Sequence, residues 1–98
     1  MLNRKLLEIL RHLSASDKKR LRLFLLSPYF NNNAQADKVV QLYDLILRYD
    51  TREEHPALAK ATVFYTFFPE GQFRENTKTA LDSLTTQLFL LIRRFLAQ

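Results

Sequence analysis

Apolar residues return at helical intervals along almost the whole of this 98-residue chain. Leu2, Leu6, Ile9, Leu10 and Leu13 recur at three- and four-residue steps, which predicts a first amphipathic helix over residues 2–13. Ser14-x-x-Asp17 then has the form of a capping box, with a serine oxygen for a free backbone N–H and an acid at the positive end of the helix dipole. A second helix is expected to run to about Leu26, burying Leu21, Phe24 and Leu25 and turning Lys18, Lys19 and Arg22 outward. Pro28 ends it, because the residue before a proline is pushed out of helical geometry. Tyr29 to Asn33 is a connector in which any of the three asparagines can cap the third helix.

Residues 35–49 carry two apolar stripes, Ala36, Val39, Val40, Tyr43, Ile46, Leu47 and beside it Leu42, Leu45, Tyr49. A helix apolar over so much of its circumference is expected at the centre of a bundle, or else it offers a surface to a partner. Asp50 to Pro56 reads as a charged loop. Ala57 to Phe68 is β-branched and aromatic, as a strand would be. A lone strand has no partner here, however, and Leu58, Ala61, Tyr65 and Phe68 keep helical spacing, so a helix is predicted. Pro69-Glu70-Gly71 breaks the chain again. A final helix over about 74–97 presents Leu81, Leu84, Leu88, Leu91 and Phe95 as a seam. The expected fold class is therefore all-α, a compact bundle of about five helices, with helices 2, 3 and 5 supplying most of the core and helix 1 packed beside them.

Length and composition are consistent with one helical domain over 1–98. The last helix meets no glycine or proline stop, as expected of the N-terminal module of a longer protein. With 47% hydrophobic and 26% charged residues the chain has the composition of a globular protein. The absence of Cys excludes disulfides and thiolate metal sites and suits a cytoplasmic location. No apolar run approaches the roughly 20 residues of a membrane span.

Charge changes the picture more. The net charge of +5 lies in residues 1–22, where Arg4, Lys5, Arg11, Lys18, Lys19, Arg20 and Arg22 face only Glu8 and Asp17. The remainder is balanced. Such a face is either a solvated helix surface or a means of steering the domain toward an acidic partner.

Candidate chemistry is sparse. Nothing ties His12 or His55 to an acid and a nucleophile, and Glu53-Glu54 beside His55 lacks a second histidine at helical spacing. The single Gly71 does not make a glycine-rich phosphate loop. The reading is of a non-enzymatic protein with no cofactor and no metal. Its four Tyr and eight Phe sit among leucines at helical spacing, as core residues do.

The succession Phe24 to Asn31 (FLLSPYFN), Leu42-Tyr43-Asp44-Leu45, Phe67-Phe68-Pro69 with Phe73, and Leu81-Asp82-Ser83-Leu84 leading to Arg94-Phe95-Leu96 resembles the N-terminal helical region of a group of uncharacterised Bacteroidetes proteins. In that group an SPYFN turn, an FP turn and a closing helix recur in this order. The resemblance implies a helical module followed by a longer helix-rich part, and it carries no activity and no functional residues. Ala57 to Phe68 departs from its pattern, being richer in alanine and aromatics.

The expected function is a protein–protein interaction module in which Arg4, Arg11, Lys18, Lys19 and Arg22 meet an acidic protein surface. One version is self-association, pairing Lys18, Lys19 and Arg22 with Asp50, Glu53 and Glu54 of a second copy. The alternatives are nucleic-acid binding by the same face, which the two aspartates of the third helix's polar side disfavour, and a structural cap on a longer helical protein. A membrane surface is set aside, since the first helix's apolar stripe lacks aromatics and is needed to close the bundle.

Overall fold

Leu6, Leu7 and Leu10 fall on one side of a helix, and all three are buried. They belong to the first of five helices in the computed structural model, which describes residues 4–28, 31, 35–49, 58–74 and 79–97. The order is α1 (Arg4–His12), α2 (Ala15–Leu26), α3 (Ala36–Tyr49), α4 (Lys60–Phe67) and α5 (Ala80–Leu96). There is no strand among the described residues, and the expected all-α bundle of about five helices is what forms. Its radius of gyration is 13.1 Å, close to the roughly 13 Å of a compact 100-residue domain.

Only Leu13 and Ser14 separate α1 from α2. Ser14 is extended, and its hydroxyl oxygen accepts from the Asp17 N–H at 3.0 Å, as the capping pattern predicts. At the far end of α2 the Ser27 N–H donates to the Phe24 carbonyl at 3.2 Å, and the Asn31 N–H returns to the Ser27 carbonyl at 2.9 Å. Asn31 ties the end of α2 to the start of α3. Its buried side-chain amide donates to the Leu25 carbonyl at 2.9 Å and to the Ala36 carbonyl at 3.4 Å. That gives a donor to a carbonyl in the last turn of α2, one of those a helix leaves without an intrahelical partner. Asn32, Asn33, Tyr29 and Phe30 lie outside the described residues.

α3 occupies the centre and packs against both α2 and α5. Val39, Leu42, Tyr43 and Ile46 are buried, with Val40, Leu45, Leu47 and Tyr49 packed against the core at its edge. Both apolar stripes are therefore covered to some degree, which is why this helix has so little polar surface. α1 contributes as many fully interior leucines as any neighbour, including Leu7, which lies outside the predicted stripe.

Two elements differ from expectation. In α4 the buried residues are Leu58 just ahead of the helix, then Val63 and Phe64, whereas Tyr65 is 44% exposed. The helix is rolled by about one residue from the face the spacing suggests. With apolar side chains on nearly every side, its own sequence does not choose a face, and packing against α5 does. α5 begins at Ala80 instead of 74. The Asp82 carboxylate accepts from the Thr79 N–H at 2.7 Å and from its hydroxyl at 3.2 Å, so Thr79-x-x-Asp82 is the true start signal. Its interior line is Leu81, Leu84, Leu88 and Ile92, with Leu91 and Phe95 at the edge. A straight helix drifts off a strict 3.5-residue seam in this way.

Candidate interaction surface

Because Leu21, Phe24 and Leu25 face the core, the opposite side of α2 must face water. Lys19, Leu23 and Leu26, at i, i+4 and i+7, make a ridge along that side, with Arg20 and Arg22 on its two flanks. Leu23 is 69% exposed and Leu26 49%. Lys19 and Arg20 are exposed, and Lys18 is half-buried. No carboxylate among the described residues pairs with Lys19 or Arg20.

The five cations expected to form one face are not equivalent. Arg22 is outward, as predicted, but engaged: its Nε and Nη2 donate to the two carboxylate oxygens of Asp44 on α3, at 3.0 and 3.1 Å. That hydrogen bond and the carboxylate charge push the guanidinium pKa up. A bidentate pair of this kind neutralises Arg22 as a docking charge. Arg4 lies 4.0 Å from Glu8, one turn along α1, with both side chains largely in water. Arg11 is half-buried and has its own interactions within the fold. Lys18 and Lys19 remain, and Arg20, a basic residue outside the expected five, joins them. The acids proposed for self-association, Asp50, Glu53 and Glu54, lie outside the described residues, as does His55.

Other cations are engaged across the bundle. Lys60 of α4 reaches Asp82 of α5 at 2.7 Å. Lys38 of α3 stands 4.6 Å above the Phe68 ring, a cation–π contact. Arg93 and Arg94 sit in the last turn of α5, where the dipole favours positive charge. Lys18, Lys19 and Arg20 lie in the N-terminal half of α2, away from the last turn where the dipole would favour positive charge. Asp17 is the only acid in that first turn.

A separate recess of about 250 Å³ opens between Phe64, Phe68, Gly71, Arg74 and the start of α5 at Thr79 and Ala80. Its aromatic wall continues into Tyr65 and Phe73, with ring centroids 5.2 to 5.6 Å from Phe64. Among the described residues no group of three or more His, Asp or Glu side chains is placed to hold a metal ion. None of the described helices is long and apolar enough to cross a membrane.

The fold and this surface define the chain as a small five-helix bundle with a cationic, leucine-bearing ridge. Comparison with known proteins finds no matching protein family, no matching curated protein and no matching solved structure.

Leu23 and Leu26 are the surface residues that sequence reasoning missed. Their signal is present in the chain: once Leu21, Phe24 and Leu25 are assigned to the core, a helical wheel places Leu23 and Leu26 with Lys19 on the outside.

Proposed function

We propose that this chain is a non-enzymatic protein–protein interaction module that meets an acidic protein surface with the cationic side of α2, flanked by α1. The observation that carries this is that two adjacent exposed cations of α2, Lys19 and Arg20, have no described carboxylate beside them and lie next to Lys18. Arg22, Lys60 and Lys38 are matched within the fold, and Arg93 and Arg94 suit the end of the helix they occupy. Lys19 and Arg20 are exposed and unmatched, in a stretch of α2 where the dipole gives them nothing. Opposite charge on the partner would set encounter rate and choice of partner. A cytoplasmic setting belongs to the same proposal and is supported by the cysteine-free sequence.

The test is fluorescence anisotropy with labelled polyglutamate and with a labelled mixed-sequence DNA duplex, each at low and moderate salt. The proposal expects polyglutamate to bind at low salt, to weaken as salt rises, and to be lost when Lys18, Lys19 and Arg20 are changed to Glu together. Tighter binding of the duplex would transfer the face to nucleic acid. Binding of neither would end both readings.

A further inference from the structure

α4 is helical against the preference of its own residues. Thr62, Val63, Phe64, Tyr65, Thr66 and Phe67 are β-branched or aromatic, types that lose side-chain freedom in a helix and fit a pleated strand better. The helix is 8 residues long, and an isolated helix shorter than about 12–15 residues is marginal in water. Its N-cap, Ala59, supplies no side-chain hydrogen bond, its first turn has no acid and its last turn no base. What keeps it helical comes from elsewhere in the fold. Val63 and Phe64 are buried in the core, and Lys60 reaches Asp82 of α5 at 2.7 Å. Lys38 of α3 stands over the Phe68 ring, and the Tyr65 hydroxyl accepts from the Phe73 N–H at 3.2 Å.

Residues 62–68 read Thr-Val-Phe-Tyr-Thr-Phe-Phe, unbroken by charge, glycine or proline. High β propensity in an uncharged run of this length is the signature of a segment that stacks on identical copies of itself. Extended, the run sets Val63, Tyr65 and Phe67 on one face and Thr62, Phe64, Thr66 and Phe68 on the other. Lys60 ahead of it and Pro69-Glu70 behind it are the charges and the breaker that flank such runs. A second uncharged run, residues 83–92, is leucine-rich and lies in α5, a helix of 17 residues with a capping box and two arginines in its last turn. There local preference and fold agree; in α4 they conflict.

We propose that residues 62–68 are a helix–strand switch. Packing against α5 and Lys38 holds them helical; once that packing is loosened, they extend and stack in register with the same segment of other copies of this chain. The proposal goes beyond the interaction-module reading and makes no use of the cationic face, so either stands or falls without the other.

The experiment agitates the whole chain at its urea midpoint and follows thioflavin T fluorescence, the infrared amide band and fibre diffraction. Each variant is held at its own midpoint, so that equal fractions are unfolded. The wild type is expected to form thioflavin-positive fibres with an intermolecular β band and a cross-β reflection at about 4.7 Å. Thr66→Lys places a charge at an exposed position of α4 and should abolish them, and Thr62→Lys, one turn earlier and also exposed, should repeat the loss. Leu90→Lys puts the same charge at an exposed position of α5 and should leave lag and yield as in the wild type. Circular dichroism in plain buffer checks that each variant is helical at the start. A wild type that stays free of β-structure overturns the switch, as do fibres that persist in both threonine variants. Suppression by Leu90→Lys equal to that by Thr66→Lys overturns its assignment to α4.

Discussion

The hydroxyl of Tyr43 on α3 donates a 2.8 Å hydrogen bond to the backbone carbonyl of Lys18 on α2. Its ring is wholly buried. The next residue, Asp44, holds Arg22 one helical turn further along α2. Two consecutive residues of α3 thus grip two successive turns of the helix that carries the cationic ridge, one from inside and one from the surface. The grip sets where Lys19, Leu23 and Leu26 stand.

Tyr43→Phe keeps the ring and removes the bond. The expected loss is about 1 kcal/mol of unfolding free energy, the net value of an ordinary buried hydrogen bond, measured by urea denaturation. The phenol also predicts an alkaline transition. Burial, reinforced by the Asp44 charge and partly opposed by Arg22, pushes its pKa from 10.0 up to about 12. The folded value lies above the unfolded one, so the neutral phenol's contribution is complete below pH 10 and disappears as pH climbs toward 12. Ultraviolet titration should show one late-ionising tyrosine, absent from Tyr43→Phe. A wild-type curve identical to the variant's apart from amplitude contradicts the assignment.

The Arg22–Asp44 pair is about half exposed on both sides. A double-mutant cycle with Arg22→Ala and Asp44→Ala is expected to give a small favourable coupling at low salt that shrinks at high salt. A larger benefit belongs to recognition. Asp44→Ala frees Arg22 and should strengthen low-salt binding of polyglutamate, whereas Arg22→Ala unmasks the Asp44 carboxylate and should weaken it.

Asp82 performs two tasks, capping α5 and holding Lys60 of α4. Asp82→Ala is expected to cost about 1–2 kcal/mol, since its carboxylate, three residues into the capping box, takes the hydrogen bonds of Thr79, more than Lys60→Met, which removes the ion pair alone. Partial burial would raise the Asp82 pKa, but hydrogen bonds from Lys60 and Thr79, with the Lys60 charge, outweigh it and hold the carboxyl below its ordinary 3.8. The charged form is favoured by folding. Its contribution is therefore present above the ordinary value and is lost as pH falls through the depressed one. Acid unfolding of Asp82→Asn compared with wild type reads this directly: the difference in stability should shrink below pH 3.8.

Gly71 has an ordinary backbone, and space accounts for its role. A Cβ there would lie 2.8 Å from Cζ of Phe64 and 3.2 Å from Cβ of Phe68. Phe64 is almost fully buried with the Tyr65, Phe68 and Phe73 rings around it, so its ring can yield only toward the recess it lines, at the expense of those contacts. Gly71→Ala should cost about 1–3 kcal/mol, as overpacking does, seen as a lower Tm. An unchanged Tm would falsify the close approach.

Much of this architecture is local and legible in the residues. Ser14 with Asp17, Pro28 after Leu26, and the breadth of the stripes on α3 specify where helices start, stop and bury, because caps and periodicity act within a turn or two of backbone. The start of α5 is equally legible at Thr79-x-x-Asp82, although the apolar seam alone points to an earlier one.

Tertiary structure decided the rest. Which side of α4 turns inward is not encoded in a helix apolar on nearly every side, and α5 selects Val63 and Phe64 over Tyr65. That Arg22 is matched while Lys19 and Arg20 are not depends on where Asp44 arrives, 22 residues later. Composition and spacing determine that cations and leucines share α2. Only the packing of α3 across it determines which of them remain for a partner, since pairing between charges is a matter of distance in space and the chain alone does not set that distance.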